Sequence, residues 1–363
     1  MNALRSSILE AAGPSRRGSR SRQLGPVLLA IATFLLAMPL LLVPAFPYEH
    51  LAAWISQQVE APRGPDGKRR PSGWQLDIGA LSPLFPVGLR GEAITLAHPA
   101  SGVPHAELFV EQLDVRISPL ALLTGSVTGE LGARLGGGTL QADFDVSLDG
   151  DLSVQAKLQG IRLRRIGLLR ALIPLPMRGT LGGEIDLRTT MADPSKSDGR
   201  IRLHVAGLSL GDGESKLPLP GMSDGITLER VDAGKLDLQA QIDEGLLRIE
   251  HLRARGPDVR LDVLGTMRLA RRLRASRLDL KVRVLFDEAF RNRSDRTRAI
   301  FSLLEFSPQL RRARAKDGAL QWQVTGALGS RLRGRPAGSM RFEVADSGGR
   351  PSSTGRPRRK GAK

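Results

Sequence analysis

The stretch Thr139-Leu140-Gln141-Ala142-Asp143-Phe144-Asp145-Val146-Ser147-Leu148-Asp149-Gly150-Asp151-Leu152-Ser153-Val154-Gln155-Ala156-Lys157-Leu158 decides the fold. Apolar residues take every second position: Leu140, Ala142, Phe144, Val146 and Leu148, then Leu152, Val154, Ala156 and Leu158. Side chains on a strand alternate between faces, so this spacing gathers the apolar groups on one side and leaves Gln141, Asp143, Asp145 and Ser147 on the other. Asp149-Gly150 supplies a two-residue turn of type I′, whose central positions need positive φ. The spacing predicts an antiparallel hairpin, apolar on one face and wet on the other.

Working outward, the same pattern recurs. Leu76 and Ile78, then Val87, Leu89 and Ile94, then Ala106, Leu108 and Val110, then Leu113, Val115 and Ile117 mark strands before the hairpin. After it come Thr180 to Thr190, Arg200 to Leu210, and a long series through Leu236, Leu238, Leu261, Val263, Met267, Leu280, Val282 and Val284. A final strand is expected over Gly318 to Thr325. Helical spacing is confined to Tyr48 to Val59, Arg164 to Ile173, Asp287 to Phe306 and a short turn at Pro119. Gly211 to Gly225 reads as a loop and a sub-boundary. No repeat of fixed length emerges, which favours a meander over a propeller or solenoid. The predicted fold is mainly β: a long curved antiparallel meander with a few short helices, preceded by one N-terminal transmembrane helix. Its candidate apolar face comprises Leu140, Phe144, Val146, Leu148, Val154, Leu158, Leu236, Leu238, Leu261, Val263, Leu280, Val282 and Val284.

The ends are unlike the middle. Residues 1–23 form a basic cytoplasmic tail, and Leu24 to Phe46 is an uncharged run of 23 residues. About 20 apolar residues span a hydrocarbon core as a helix, so residues 24–46 are expected to anchor the chain through Leu28, Leu29, Phe34, Leu35, Leu36, Leu41 and Leu42. A cleaved signal peptide ending near Val43-Pro44-Ala45 is the competing reading; its usual core is shorter. Arg16, Arg17, Arg20 and Arg22 hold the N-terminus in the cytoplasm by the positive-inside rule. The β-rich domain, residues 47–330, is then expected on the far side of the membrane, which is the periplasm in a bacterium with two membranes.

The formal charge is +17. Residues 1–23 carry +4 and residues 330–363 carry +8, which leaves +5 for the residues between. Charge in tails without an aromatic platform argues against nucleic acid as a partner. Residues 331–363 read as a basic disordered tail. Arg331, Arg333, Arg335, Arg356, Arg358, Arg359 and Lys360 are its candidate contacts to an anionic surface.

No catalytic, cofactor-binding or metal-binding residue is nominated, and no cofactor is expected. The five His lie apart, no His-Glu-x-x-His or Gly-x-Ser-x-Gly occurs, and Gly136-Gly137-Gly138 does not continue into a phosphate loop. Cys is absent, so thiolate chemistry and disulfides are excluded. The chain is expected not to be an enzyme.

The order of several motifs resembles a known family. Phe46-Pro47-Tyr48 is followed by Gly79-Ala80-Leu81-Ser82-Pro83, then Ser118-Pro119-Leu120-Ala121-Leu122-Leu123-Thr124-Gly125. Gly207-Leu208-Ser209-Leu210-Gly211-Asp212-Gly213 precedes Leu217-Pro218-Leu219-Pro220-Gly221. Ser276-Arg277-Leu278-Asp279-Leu280 and Asp287-Glu288-Ala289-Phe290 complete the set. Residues 44 to 334 resemble the type II secretion system protein N family in its delta-proteobacterial form. Leu-Ser-Pro and Leu-Leu-x-Gly elements also suit AsmA-like lipid-conduit proteins. The resemblance implies a non-enzymatic, single-pass inner-membrane protein with a periplasmic β-domain. Its partners would be other type II secretion components; the AsmA-like features imply lipid as the alternative. The basic tail departs from the family pattern.

Overall fold

The computed structural model describes residues 47–63, 68–85, 87–98, 107–119, 121, 126–172, 175–190, 193–219, 222–227, 229–328, 332–340 and 342. The chain divides into Met1–Tyr48 and Glu49–Lys363, and the sheet belongs to the second unit.

Fourteen strands form one sheet. They are β1 (Gln75–Leu84), β2 (Gly88–Ala97), β3 (Glu107–Ile117), β4 (Ser126–Leu135), β5 (Gly138–Ser147), β6 (Asp151–Arg162), β7 (Met177–Thr190), β8 (Asp193–Leu210), β11 (Val231–Asp243), β12 (Leu246–Arg255), β13 (Val259–Arg268), β14 (Arg277–Phe286), β15 (Leu320–Ala327) and β16 (Arg333–Pro336). Every ladder is antiparallel, and strand order in space is strand order in sequence. The one excursion lies between β8 and β11, where β9 (Lys216–Leu219) and β10 (Met222–Thr227) make a separate two-stranded sheet. The loop expected over Gly211 to Gly225 is therefore largely this hairpin.

Helices are few and short: α1 (Tyr48–Glu60), α2 (Leu169–Leu172), α3 (Glu288–Arg291), α4 (Asp295–Glu305) and α5 (Pro308–Ala313). Among the described residues no helix is long and apolar enough to cross a membrane. The expected anchor, with Leu28, Leu29, Phe34, Leu35, Leu36, Leu41 and Leu42, lies outside them.

The hairpin of β5 and β6 forms with Val146 opposite Leu152 and Leu140 opposite Leu158. Its turn differs from expectation. Gly150 N donates to Ser147 O at 3.0 Å, so Leu148 and Asp149 are the central pair. Only Gly150 takes the left-handed region, at φ +84. The extra residue carries the chain into Asp151, whose amide donates to Ser147 Oγ at 3.1 Å. Leu148 is thereby lifted off the apolar face into the turn and is 85% exposed.

Two helices are shorter than their periodicity suggests. The segment expected helical over Arg164 to Ile173 is one 3₁₀ turn, Leu163–Arg165, then α2. Between them Ile166 leaves helical geometry to bridge Leu108 at the start of β3. Asp287 to Phe306 breaks into α3 and α4 because each part has its own cap. Ala289 N donates to Asp287 Oδ1 at 3.0 Å, and Thr297 N donates to Ser294 Oγ at 3.1 Å.

The basic segment also departs from expectation at its start. Arg333–Pro336 is a strand, with Thr325 opposite Arg333 and Trp322 opposite Pro336. The free hydrogen-bonding edge of β15 recruits it.

The core sits at one end of the sheet. Leu163, Val205, Leu208, Val231, Ala233, Ala254, Val259 and Phe290 form the buried cluster. Ile166, Leu169, Met177, Phe286 and Phe301 pack around it. The crossing segment 163–169 and the helices α3 and α4 thus cover the sheet at that end.

Candidate functional site

Cross-strand partners share a face, so the registers trace continuous rows across the sheet. One row runs Pro83, Leu89, Val115, Leu131, Ala142, Ala156, Ile185, Ile201, Ala240, Ile249, Gly265, Leu280, Val324 and Gly334. It crosses fourteen strands without one charged or hydroxyl side chain. The next position along the strands gives a contrasting row. Glu130, Asp143, Gln155, Asp186, Arg200, Gln241, Arg248, Thr266, Asp279, Thr325 and Arg333 stand in register on the opposite face.

Of the residues expected on the apolar face, Leu140, Phe144, Val146, Val154, Leu158, Leu236, Leu238, Leu261, Val263, Leu280, Val282 and Val284 lie in such apolar rows. Leu148 does not, for the reason given above. The rows hold across changes of phase. In β3 the apolar positions move from Leu108 and Val110 to Leu113, Val115 and Ile117, and the β3–β4 register shifts between Val110 and Gln112. In β11 they move from Val231 and Ala233 to Leu236, and Gly234 between them has φ +65. One extra residue flips the side-chain phase and returns the apolar groups to the same face.

Cover on this face is uneven. Val205, Val231, Ala233, Ala254 and Val259 are buried beneath the crossing segment and helices. Phe144, Val146, Val154, Leu158, Ile185 and Leu187 stay partly exposed toward the middle and the opposite strand ends.

Asp258 ties the helical cover to the sheet. Its side chain is almost fully buried and accepts from Arg293. The same carboxylate accepts from Asp232 N at 2.7 Å. Arg293 lies over the Phe290 ring, 4.9 Å from its centroid, and Phe290 stacks on Phe286 at 5.9 Å.

The polar face is laced with ion pairs. Arg90 Nε donates to Asp114 Oδ1 at 2.8 Å, and this contact holds the Asp114 carboxyl below the usual carboxylate range. Arg255 and Arg283 share buried Asp262, and Arg283 also engages Asp317. Burial pushes the Asp317 carboxyl upward, but donation from Ala319 N and the Arg283 charge outweigh it and hold it low. A depression of about 590 Å³ on this face collects Lys157, Glu184, Arg202, His204 and Asp237. Glu184 there is paired with Arg202 at 3.0 Å, and both side chains are more than half exposed. An ion pair this open to solvent adds little to stability. Among the described residues no group of three His, Asp or Glu stands ready to hold a metal ion.

A second cavity, about 560 Å³, lies between the end of β14, helices α3 to α5 and the start of β15. Val284, Phe286, Phe301, Leu310 and Leu320 give it apolar walls, and Arg291, Arg311 and Arg314 line it as well. Sequence patterning did not nominate these arginines. Arg291 and Arg311 sit on α3 and α5 and Arg314 just after α5, and nothing in their spacing shows that they meet one cavity.

Of the basic residues expected to meet an anionic surface, Arg333 and Arg335 are exposed on β16. Arg331, Arg356, Arg358, Arg359 and Lys360 lie outside the described residues. No known protein family, no curated protein and no solved structure matches the chain.

Proposed function

We propose that this chain is a non-enzymatic component or assembly factor of a type II protein secretion system, tethered in the inner membrane by residues 24–46 with its sheet in the periplasm. The observation that carries the reading is the uncharged row from Pro83 to Gly334, a binding surface built on the scale of the whole sheet. The motif order resembling the protein N family supplies the system. The two edges of the sheet add a route to partners, since a free edge accepts a further strand. β1 is ten residues long with Asp77 its one charged residue, whereas β16 has four residues, two of them Arg and one Pro. The test is secretion itself. A strain lacking the chain should fail to export its folded cargo, and the tagged full chain should co-purify with a secretin, a pseudopilin or the inner-membrane platform. Normal export by the deletion strain overturns the reading.

A second reading, an AsmA-like lipid-handling groove, is favoured by one specific observation: the middle rows are apolar yet partly exposed. Acyl chains lying there would gain roughly 0.8 kcal/mol per buried CH₂. Lipid extraction and mass spectrometry of the purified full chain decide it; a chain that purifies free of lipid counts against it.

The basic C-terminus serves as an auxiliary tether in either reading. Because residues 333–336 belong to the sheet, the informative deletion is 343–363, which should weaken binding to anionic liposomes at low salt. Unchanged binding removes the tether from the proposal.

A further inference from the structure

The cavity between β14, β15 and the helices joins two chemistries. Val284 and Leu320 pair across the ladder on the apolar face, so the walls continue that face. The opposite side is helical and basic. Arg291 lies against the Phe301 ring, 5.4 Å from its centroid, and Arg314 is fixed by a backbone bridge to Leu320. Arg311 and Arg314 are exposed. Glu288 and Asp317 line the same cavity, and Asp317 is engaged by Arg283. The volume suits a small-molecule site, which typically spans about 300–1,000 Å³.

We propose that this cavity binds the anionic head, carboxylate or phosphate, of an acyl amphiphile whose chain lies along the apolar face. The inference rests on the lipid-handling reading above and adds a place and a charge requirement to it. Guanidiniums pair with carboxylate and phosphate oxygens through charge-assisted hydrogen bonds, and the apolar walls receive the first carbons of the chain.

The test uses the full chain in detergent micelles with three photoreactive probes. Each carries a diazirine close to the head: a fatty acid, a lysophosphatidic acid and the matching fatty alcohol. The acid and the phosphate should label peptides between Val284 and Leu320 about tenfold more than the alcohol, the gain of one charge-assisted contact. Whichever of the two labels more strongly identifies carboxylate or phosphate as the head. Arg311→Ala with Arg314→Ala should remove that preference, and Arg311→Lys with Arg314→Lys should restore most of it. Leu310→Trp, which fills the cavity and leaves every charge, should also abolish labelling. Thermal unfolding checks that each variant is folded. Equal labelling by alcohol and acid overturns the inference. Labelling confined to β5–β8 overturns it too while leaving the lipid-handling reading intact. Labelling of no strand removes both.

Discussion

Phe290 is fully buried at 0% exposure, four residues beyond the last strand residue it stacks on. It plugs α3 into the sheet, and Arg293 closes over it while reaching Asp258. Phe290→Ala should cost about 3–5 kcal/mol, measured by urea unfolding, because the void cannot collapse against a rigid sheet. Asp114 makes a different kind of prediction. Its pKa is depressed in the folded state by the Arg90 hydrogen bond, so its contribution is complete above the unfolded value of about 3.9. That contribution is lost as pH falls through the lower folded value. Asp114→Asn should therefore melt below wild type at pH 7, and the gap should shrink on acidification below pH about 4. A gap that persists unchanged at low pH would assign the effect to shape and not to charge. Single residues also show where sequence reading fails. Alternation placed Leu148 on the apolar face, but the turn takes one residue more than Asp149-Gly150 alone requires. Periodicity carries no information about which residue the turn consumes.

At the scale of elements, the bulges keep a face continuous. β3 and β11 each change phase, yet their apolar residues stay in line with those of their neighbours. The break was visible as two alternating runs, 106–110 and 113–117. Whether it marked two strands or one bulged strand was not visible, because that depends on the partner's register. Gly150 and Gly234 separate conformational strain from crowding. Both have positive φ, but a Cβ on Gly150 meets nothing within 4 Å, whereas one on Gly234 would stand 2.2 Å from Arg255 O. Gly150→Ala should cost about 1–2 kcal/mol, the ordinary left-handed penalty. Gly234→Ala should cost clearly more, since backbone must move. Equal losses in denaturant unfolding would mean that the β11–β12 ladder yields freely at that point. The helices show the limit of periodic patterns from the other side. Capping by Asp287 and Ser294 splits a continuous helical pattern in two, and caps are local hydrogen bonds that apolar spacing does not encode.

For the whole molecule, the face was legible and its cover was not. Twelve of thirteen expected residues fall in the apolar rows because a period of two is set by the backbone itself. The buried end depends on Leu163, Phe290 and Phe301 meeting strands far away in sequence, which no local pattern announces. The uneven cover predicts an uneven exchange of amide hydrogens. Amides of β8 and β11, paired on both sides beside the buried cluster, should exchange slowest, and those of β16 at the edge fastest. Uniform exchange across the sheet would show that it opens as one unit.

The sequential strand order has a consequence for how such a sheet is made. Large β-proteins usually wait for distant segments to find each other, and that search slows them. Here each new strand of the sheet pairs with the sheet strand made just before it, with the β9–β10 hairpin and the helices α3 to α5 as detours. A sheet whose strands emerge one after another from a narrow pore, β1 first, could zip up rung by rung on the far side. It would carry one growing edge throughout, and the last of the described strands to join it is the short one that bears arginine and proline.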